Sequence, residues 1–435
     1  MAIFAWSQTI SIRIIKSSLF SKVAVYLVSN IINAAIPFML LPILTRYMSP
    51  QEYGQVAMFQ VLLSMLGAFV GLNCVGAAGR KYYDDNMSSI ENKYFIASCL
   101  QIIVWSGICV FTLIFFMRNY LASLLGLETH WILWTVLASS LVCVTQLRLG
   151  QWQVRKNARN YGMMQTFQSV TIVFLSLLLV VVYKEGVFGR IVSQMVGVGV
   201  AAIFSLYFLK KDNLFAFFVW NSRHVKEALA FGIPLIPHVA GGFLLISMDR
   251  LIINVELGLA AAGIYAVAAQ LTTVMMLVFD AINKAYVPWL FEKLKRGYPE
   301  DKRQIVRYTY AWFGAIILGI MLAFLFGPSL ITIIAGDQYS SAGELVGWLA
   351  LGQGFVGMYL MVTNYIFYSK RTGLLSLVTI ISGLLNVFLL FTFLRIFSLK
   401  GAAIAFSTAM GFRFLCTWWV AQRQYPMPWF NFNMK

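Results

Sequence analysis

The chain has 435 residues, 60% of them hydrophobic and 11% charged, with a formal net charge of +17. A soluble domain carries about 25% charged residues, so this composition excludes a soluble globular enzyme and indicates a polytopic membrane protein. The positive excess does not imply nucleic acid as a partner, because the basic residues fall in loops at the ends of apolar runs, where the positive-inside rule places them.

Residues 1–22 carry Arg13, Lys16 and Lys22 without a small-residue cleavage site behind a short apolar core. They read as an amphipathic cytoplasmic lead-in at the membrane surface, not as a signal peptide. Twelve apolar runs follow, at 23–44, 54–77, 94–117, 131–149, 161–183, 187–209, 227–249, 261–283, 305–327, 341–368, 373–395 and 401–421. Runs of this length cross a hydrocarbon core of about 30 Å. They are continuously apolar and do not alternate, which predicts helices and not barrel strands.

Lysine and arginine set the orientation. The two ends and the loops 78–93, 148–160, 210–226, 284–307 and 369–372 hold 25 of them, and the alternate loops hold 6. This bias predicts both termini in the cytoplasm and an even number of spans. Six spans then fall in each half: an N-terminal lobe at 23–209, a cytoplasmic linker at 210–226, a C-terminal lobe at 227–421 and a cytoplasmic tail at 422–435. A faint internal repeat supports the halves. Gly54 after MSPQEY corresponds to Gly263 after GLAAA, 209 residues on; Arg46 and Arg250 precede them, and Val56-Ala57 and Val267-Ala268 follow. Parallel repeats of this kind suggest two lobes rocking about a central site.

The candidate site residues are charges in expensive places. Asp249 and Arg250 end the seventh run, where a charge at mid-bilayer costs about 2.5–3.5 kcal/mol on insertion scales. They read either as a neutralised pair that stops the helix or as a gate, with Arg250 contacting an anion. Pro234 and Pro237 precede them and predict a kink. Asp280 and Lys284 have the spacing and order of a helical ion pair near the inner end of span eight. Arg190 and Arg413 lie within spans, and Arg413 has no acidic neighbour in sequence. With Arg46 and Arg148, which lie nearer span ends, they are the candidate cavity cations, since the planar guanidinium fork suits phosphate or pyrophosphate.

Other patterns carry less. The five cysteines lie in apolar runs with no CxxC, and the three histidines are scattered, so neither a disulfide framework nor a metal site is expected. Gly352-Gln353-Gly354-Phe355-Val356-Gly357 matches a dinucleotide motif but sits inside span ten, where close helix packing is the expected role. No P-loop, triad or paired carboxylates stand out, so no catalytic site and no cofactor are expected.

Two stretches resemble a known family: LLPILTRYMSPQEYG at 40–54 and FGIPLIPHVAGGFLLISMDRLIINVELGLAAAGIYAVAAQ at 231–270. They are similar to the exit of the first span and to the seventh span of Wzx-type O-antigen/polysaccharide flippases, within the multidrug/oligosaccharidyl-lipid/polysaccharide exporter superfamily. The resemblance implies a MATE-like all-α fold with two six-helix lobes in the bacterial inner membrane. It implies alternating access that moves an oligosaccharide on undecaprenyl pyrophosphate between leaflets, coupled to H+, Na+ or the membrane potential. Membrane lipids, a polysaccharide polymerase and chain-length machinery are the implied partners. The alternatives are a multidrug or other small-molecule exporter of the same superfamily, a lipid II flippase, and a membrane glycosyltransferase or polymerase. The excess of arginine over carboxylate in the spans argues against the first. The twelve-span length argues against the second. The short outer loops argue against the last.

Overall fold

The computed structural model describes residues 38–84, 88–369 and 373–429. The lead-in, most of span one and the end of the tail lie outside the described residues. The rest is helical, with no strand among the described residues, as a backbone in hydrocarbon must be if it is to satisfy its own polar groups. The helices are α1 (Phe38–Tyr47), α2 (Pro50–Leu66), α3 (Cys74–Lys81), α4 (Ser89–Leu125), α5 (Thr129–Val154), α6 (Ala158–Ser176), α7 (Gly186–Lys211), α8 (Ser222–Gly232), α9 (Ile236–Ile246), α10 (Met248–Leu257), α11 (Leu259–Arg296), α12 (Pro299–Ala335), α13 (Gly343–Ser369) and α14 (Gly373–Gln424).

Among the described residues, 9 helices are long and apolar enough to cross a membrane. Spans two to twelve map onto these helices and their neighbours, and of span one only its end is described. Span one ends in α1, and span two is split between α2 and α3. Span five is α6, extended by a π-helical stretch at Leu177–Val182. Span seven is α8 and α9, joined by a 3-10 turn at Ile233–Leu235. Spans eleven and twelve are the two helices of α14, which meet at a sharp kink where Ser398 leaves helical geometry (φ 52°, ψ −141°).

The breaks have local causes. Pro234 and Pro237 cannot donate backbone hydrogen bonds, and the helix tightens where they fall. Span seven also ends earlier than its apolar run suggests: α9 stops at Ile246, Ser247 is non-helical, and Asp249 lies in the first turn of α10. Span two breaks without a proline. Gly71, Leu72 and Asn73 all take positive φ (78°, 46° and 58°), and the Gly71 N–H donates to Ser106 Oγ at 2.8 Å. Gly232 packs onto this break so closely that a Cβ there would overlap the Leu72 carbonyl oxygen.

Contacts divide the chain into two compact units. One contains Leu62–Tyr120 and Glu128–Ile236; the other contains Phe38–Val61, Leu121–Leu127 and the chain from Pro237. The units therefore differ from the lobes drawn on sequence in three places, one of them Leu121–Leu127, which is held in the second unit by Asn254 and Leu259. The segment 38–61 groups with C-terminal helices because Gly54 and Gly263 let α2 and α11 touch backbone to backbone. The segment 222–236 groups with N-terminal helices through the Gly232 contact and a salt bridge from Lys81 to Glu227.

In the second unit α13 is the central helix, and its glycines explain why. A Cβ at Gly352 would strike Phe406 of α14, one at Gly354 would strike Ile320 of α12, and one at Gly357 would strike Phe279 of α11. The glycine motif in span ten is thus a set of three close approaches to three neighbours, as small residues provide in membrane helices. Gly354→Val should lower the melting temperature of the detergent-solubilised protein by several degrees, since overpacking costs about 1–3 kcal/mol. Gly314→Ala, at a site with open space around it, should leave it unchanged or raise it.

Candidate functional site

The predicted cations fall into three groups. Arg148 is fully buried on α5. Its Nη2 is bonded to the Asp212 carboxylate just beyond α7, and its guanidinium lies 4.2 Å from the Trp152 ring centroid. Its charge is therefore neutralised within the protein, near the end of the span. Arg190 is half-buried on the first turns of α7 and donates to Ser176 Oγ at 2.8 Å, where α6 gives way to the π-helical stretch. Its long side chain thereby satisfies a hydroxyl beside an irregular segment. Arg46 is exposed at the end of α1.

Asp249 and Arg250 do form a local unit, but a more structured one than adjacency suggests. Asp249 is 4% exposed. Its Oδ2 accepts the hydroxyl of Tyr265 at 2.5 Å, and its Oδ1 accepts the Arg250 backbone N–H at 2.8 Å. A carboxylate at a helix N-terminus also meets the positive end of the helix dipole. Tyr265, itself fully buried, ties α10 to α11. Arg250 is half-buried beside the carboxylate, and its Nε has no hydrogen-bond partner. Asp280 and Lys284 make the expected ion pair on α11, at 2.5 Å and largely exposed.

Arg413 is different. It lies midway along the second half of α14, and its guanidinium stacks 4.0 Å from the centroid of Tyr359, midway along α13. No carboxylate pairs with it among the described residues, and its Nε is buried without a partner. Stacking on a ring face fixes the plane of a guanidinium and leaves its edge donors available. An unpartnered Nε is shared by Arg148 and Arg250, but Arg413 differs in stacking on a tyrosine with no carboxylate paired to it among the described residues. Elsewhere in the second unit, Asn364 of α13 donates to Asn283 of α11 at 2.8 Å, and the hydroxyls of Tyr286 on α11 and Thr309 on α12 lie 3.5 Å apart.

The first unit holds a second polar centre that sequence reasoning missed. Lys81 is bonded to Glu227 at 2.7 Å and to Asp84 at 3.0 Å, with Glu91 at 3.9 Å. The Glu227 hydrogen bond raises the Lys81 pKa above the usual lysine range, so it stays charged at neutral pH. Lys81, Asp84 and Glu227 edge a cavity of about 510 Å³ together with Arg80, Phe231 and Pro234. Two cations and two carboxylates line it, so it has no net attraction for an anion. Only the Lys81–Asp84 spacing was visible in sequence; Glu227 is 146 residues away.

Residues 19–294 match a family described as polysaccharide biosynthesis protein. A Shigella dysenteriae protein named as an O-antigen transporter is 20% identical over 381 residues, covering 86% of this chain and 92% of that protein. Two solved structures share the fold: lipid II flippase MurJ in an inward closed conformation (TM-score 0.73, 14% identity, 91% and 87% of the two chains) and an inward-facing MATE transporter of the MOP superfamily (TM-score 0.67, 14% identity, 90% and 97%). At such identities they speak to the fold alone.

The arginine groups should separate experimentally. Asp212→Ala strands the buried Arg148 charge and should reduce folded protein and melting temperature. Arg413→Ala should leave both close to the parent values, because it removes no ion pair. Yield after extraction and a thermal-shift assay measure the difference.

Proposed function

The chain belongs to the polysaccharide biosynthesis protein family, and from that premise we propose that it is a flippase that carries an oligosaccharide on undecaprenyl pyrophosphate from the cytoplasmic to the outer leaflet of the bacterial inner membrane. The cargo is an O-antigen repeat unit or a similar surface glycan. The carrying observation is Arg413, a mid-helix guanidinium with no carboxylate partner among the described residues. A diphosphate offers the oxygens that such a fork would meet in bidentate fashion. Burying this cation is costly in a membrane helix unless a function retains it.

The distribution of carboxylates supports the same reading over a drug exporter for cations. Asp249 is engaged by Tyr265, Asp280 by Lys284 and Asp212 by Arg148. The amides and hydroxyls at Asn283, Asn364, Tyr286 and Thr309 suit hydroxyl-rich sugars. In this reading both termini are cytoplasmic, and the basic loops face the compartment where the cargo is built. Alternating access needs the cargo or a coupling gradient to favour one state over the other, since a ligand shifts an equilibrium only by its differential affinity. A proton, sodium ion or membrane-potential gradient supplies that bias, and the polymerase and chain-length machinery take the delivered unit. The protein acts as a carrier and not as an enzyme.

Flipping of a fluorescent lipid-linked oligosaccharide in proteoliposomes tests this. Arg413→Ala should slow it by about tenfold or more, the equivalent of one charge-assisted hydrogen bond. Arg413→Lys should recover part of the rate, because an ammonium keeps the charge but not the fork. Wild-type flipping by Arg413→Ala would remove the basis of the assignment.

A further inference from the structure

Gly54 on α2 and Gly263 on α11 meet backbone to backbone. A Cβ at Gly54 would overlap the carbonyl oxygen of Leu259 and lie 3.3 Å from the nitrogen of Gly263. A Cβ at Gly263 would overlap the carbonyl oxygen of Pro50 and lie 2.8 Å from the nitrogen of Gly54. The same offset, 209 residues, relates Gly54 to Gly263 and Pro50 to Leu259. The contact is therefore reciprocal: each glycine rests on the carbonyl four residues before the other. Reciprocity of this kind is the signature of a two-fold axis, here an approximate one relating the two halves of a single chain. It also gives the faint sequence repeat a structural counterpart.

Around this crossing, hydrogen bonds join segments far apart in sequence. Tyr53 donates to Gln270 Oε1 at 2.7 Å, and Gln55 Nε2 donates to the Gly126 carbonyl at 3.2 Å. Tyr339 donates to the Met48 carbonyl at 2.9 Å, and Gln338 donates to the carbonyls of Met48 and Thr45. Asn254 donates to the Leu124 carbonyl at 2.9 Å. All these segments border the loops poor in lysine and arginine, which the charge bias assigns to the outer side. Every bond is between neutral groups, so water can replace each one without stranding a buried charge. Small residues, Ala260, Ala261 and Ala262, precede Gly263 and let the backbones approach.

Resting on the transport reading above, we propose that the Gly54–Gly263 crossing is the seam that seals the outer end of the transport path, and that it parts in each cycle to release the cargo. The seam couples the start of span two to the start of span eight. A side chain at either glycine cannot be accommodated while the seam is shut, so it holds the outer end open.

The test uses the full-length protein carrying Met48→Cys as a reporter, a buried site whose backbone alone takes part in the seam bonds, labelled in intact cells with a membrane-impermeant maleimide, with the parent chain as blank. Labelling should be slow with both glycines present. Gly54→Val and Gly263→Val should each accelerate it by about tenfold and to a similar extent, as their reciprocal positions require, equivalent to about 1.4 kcal/mol in the balance of shut and open states. Both should abolish surface glycan while inserted protein persists. Tyr339→Phe, which adds no bulk, should accelerate labelling more mildly. Unchanged labelling in inserted glycine variants, or full glycan display from both, would overturn the seam. If the valine variants fail to insert, Gly54→Ala and Tyr339→Phe decide, and unchanged labelling in both overturns it. Labelling does not depend on the cargo, so faster labelling without any flipping of lipid-linked oligosaccharide would leave the seam and reject the substrate.

Discussion

A backbone that crosses hydrocarbon must find its hydrogen-bond partners within itself. This constraint governs where the chain is allowed to be irregular. The long runs become helices because no other local structure satisfies them. Where a helix breaks, another group takes over. Ser106 accepts the N–H of Gly71 at the break in span two. Close backbone approach then becomes possible at the glycines: Gly232 on Leu72 in one unit, Gly54 on Leu259 in the other.

The same low-dielectric surroundings sort the charges. Arg148 and Asp212 neutralise one another near the end of a helix, with an indole face against the cation. Asp249 is held by a phenol and a backbone N–H at the start of a short helix. Lys81 gathers carboxylates around it. Each of these arrangements meets the cost of desolvation locally. Arg413 does so through the face of Tyr359, with no carboxylate paired to it among the described residues.

Much of the fold was legible because apolar run length and loop charge are local properties. The expected family membership and the all-helical fold are both borne out. The kink at Pro234 was legible because proline has one local consequence, and the Asp280–Lys284 pair because four residues make one helical turn. The early end of span seven was not, since Ser247 is unremarkable in sequence and the run stays apolar up to Met248. Nor was the break in span two, which uses Leu72 and Asn73 in a left-handed conformation that neither residue announces. Partners were hardest of all. Asp212 lies 64 residues from Arg148, and Tyr265 lies 16 from Asp249 across a helix boundary. Sequence shows which groups need a partner; only the packed chain shows which ones receive it.

The reciprocal glycine contact has an implication for how the two halves can vary. In a homodimer of half-length chains, the corresponding contact would lie on the dyad, and one codon change would alter both sides of it together. Within a single chain the two sides are separate loci. A substitution at Gly54 is then tested against the backbone of Leu259 and Gly263, and one at Gly263 against that of Pro50 and Gly54. The halves can drift apart in side chains almost everywhere else, yet at this crossing each is held to the mainchain path of the other.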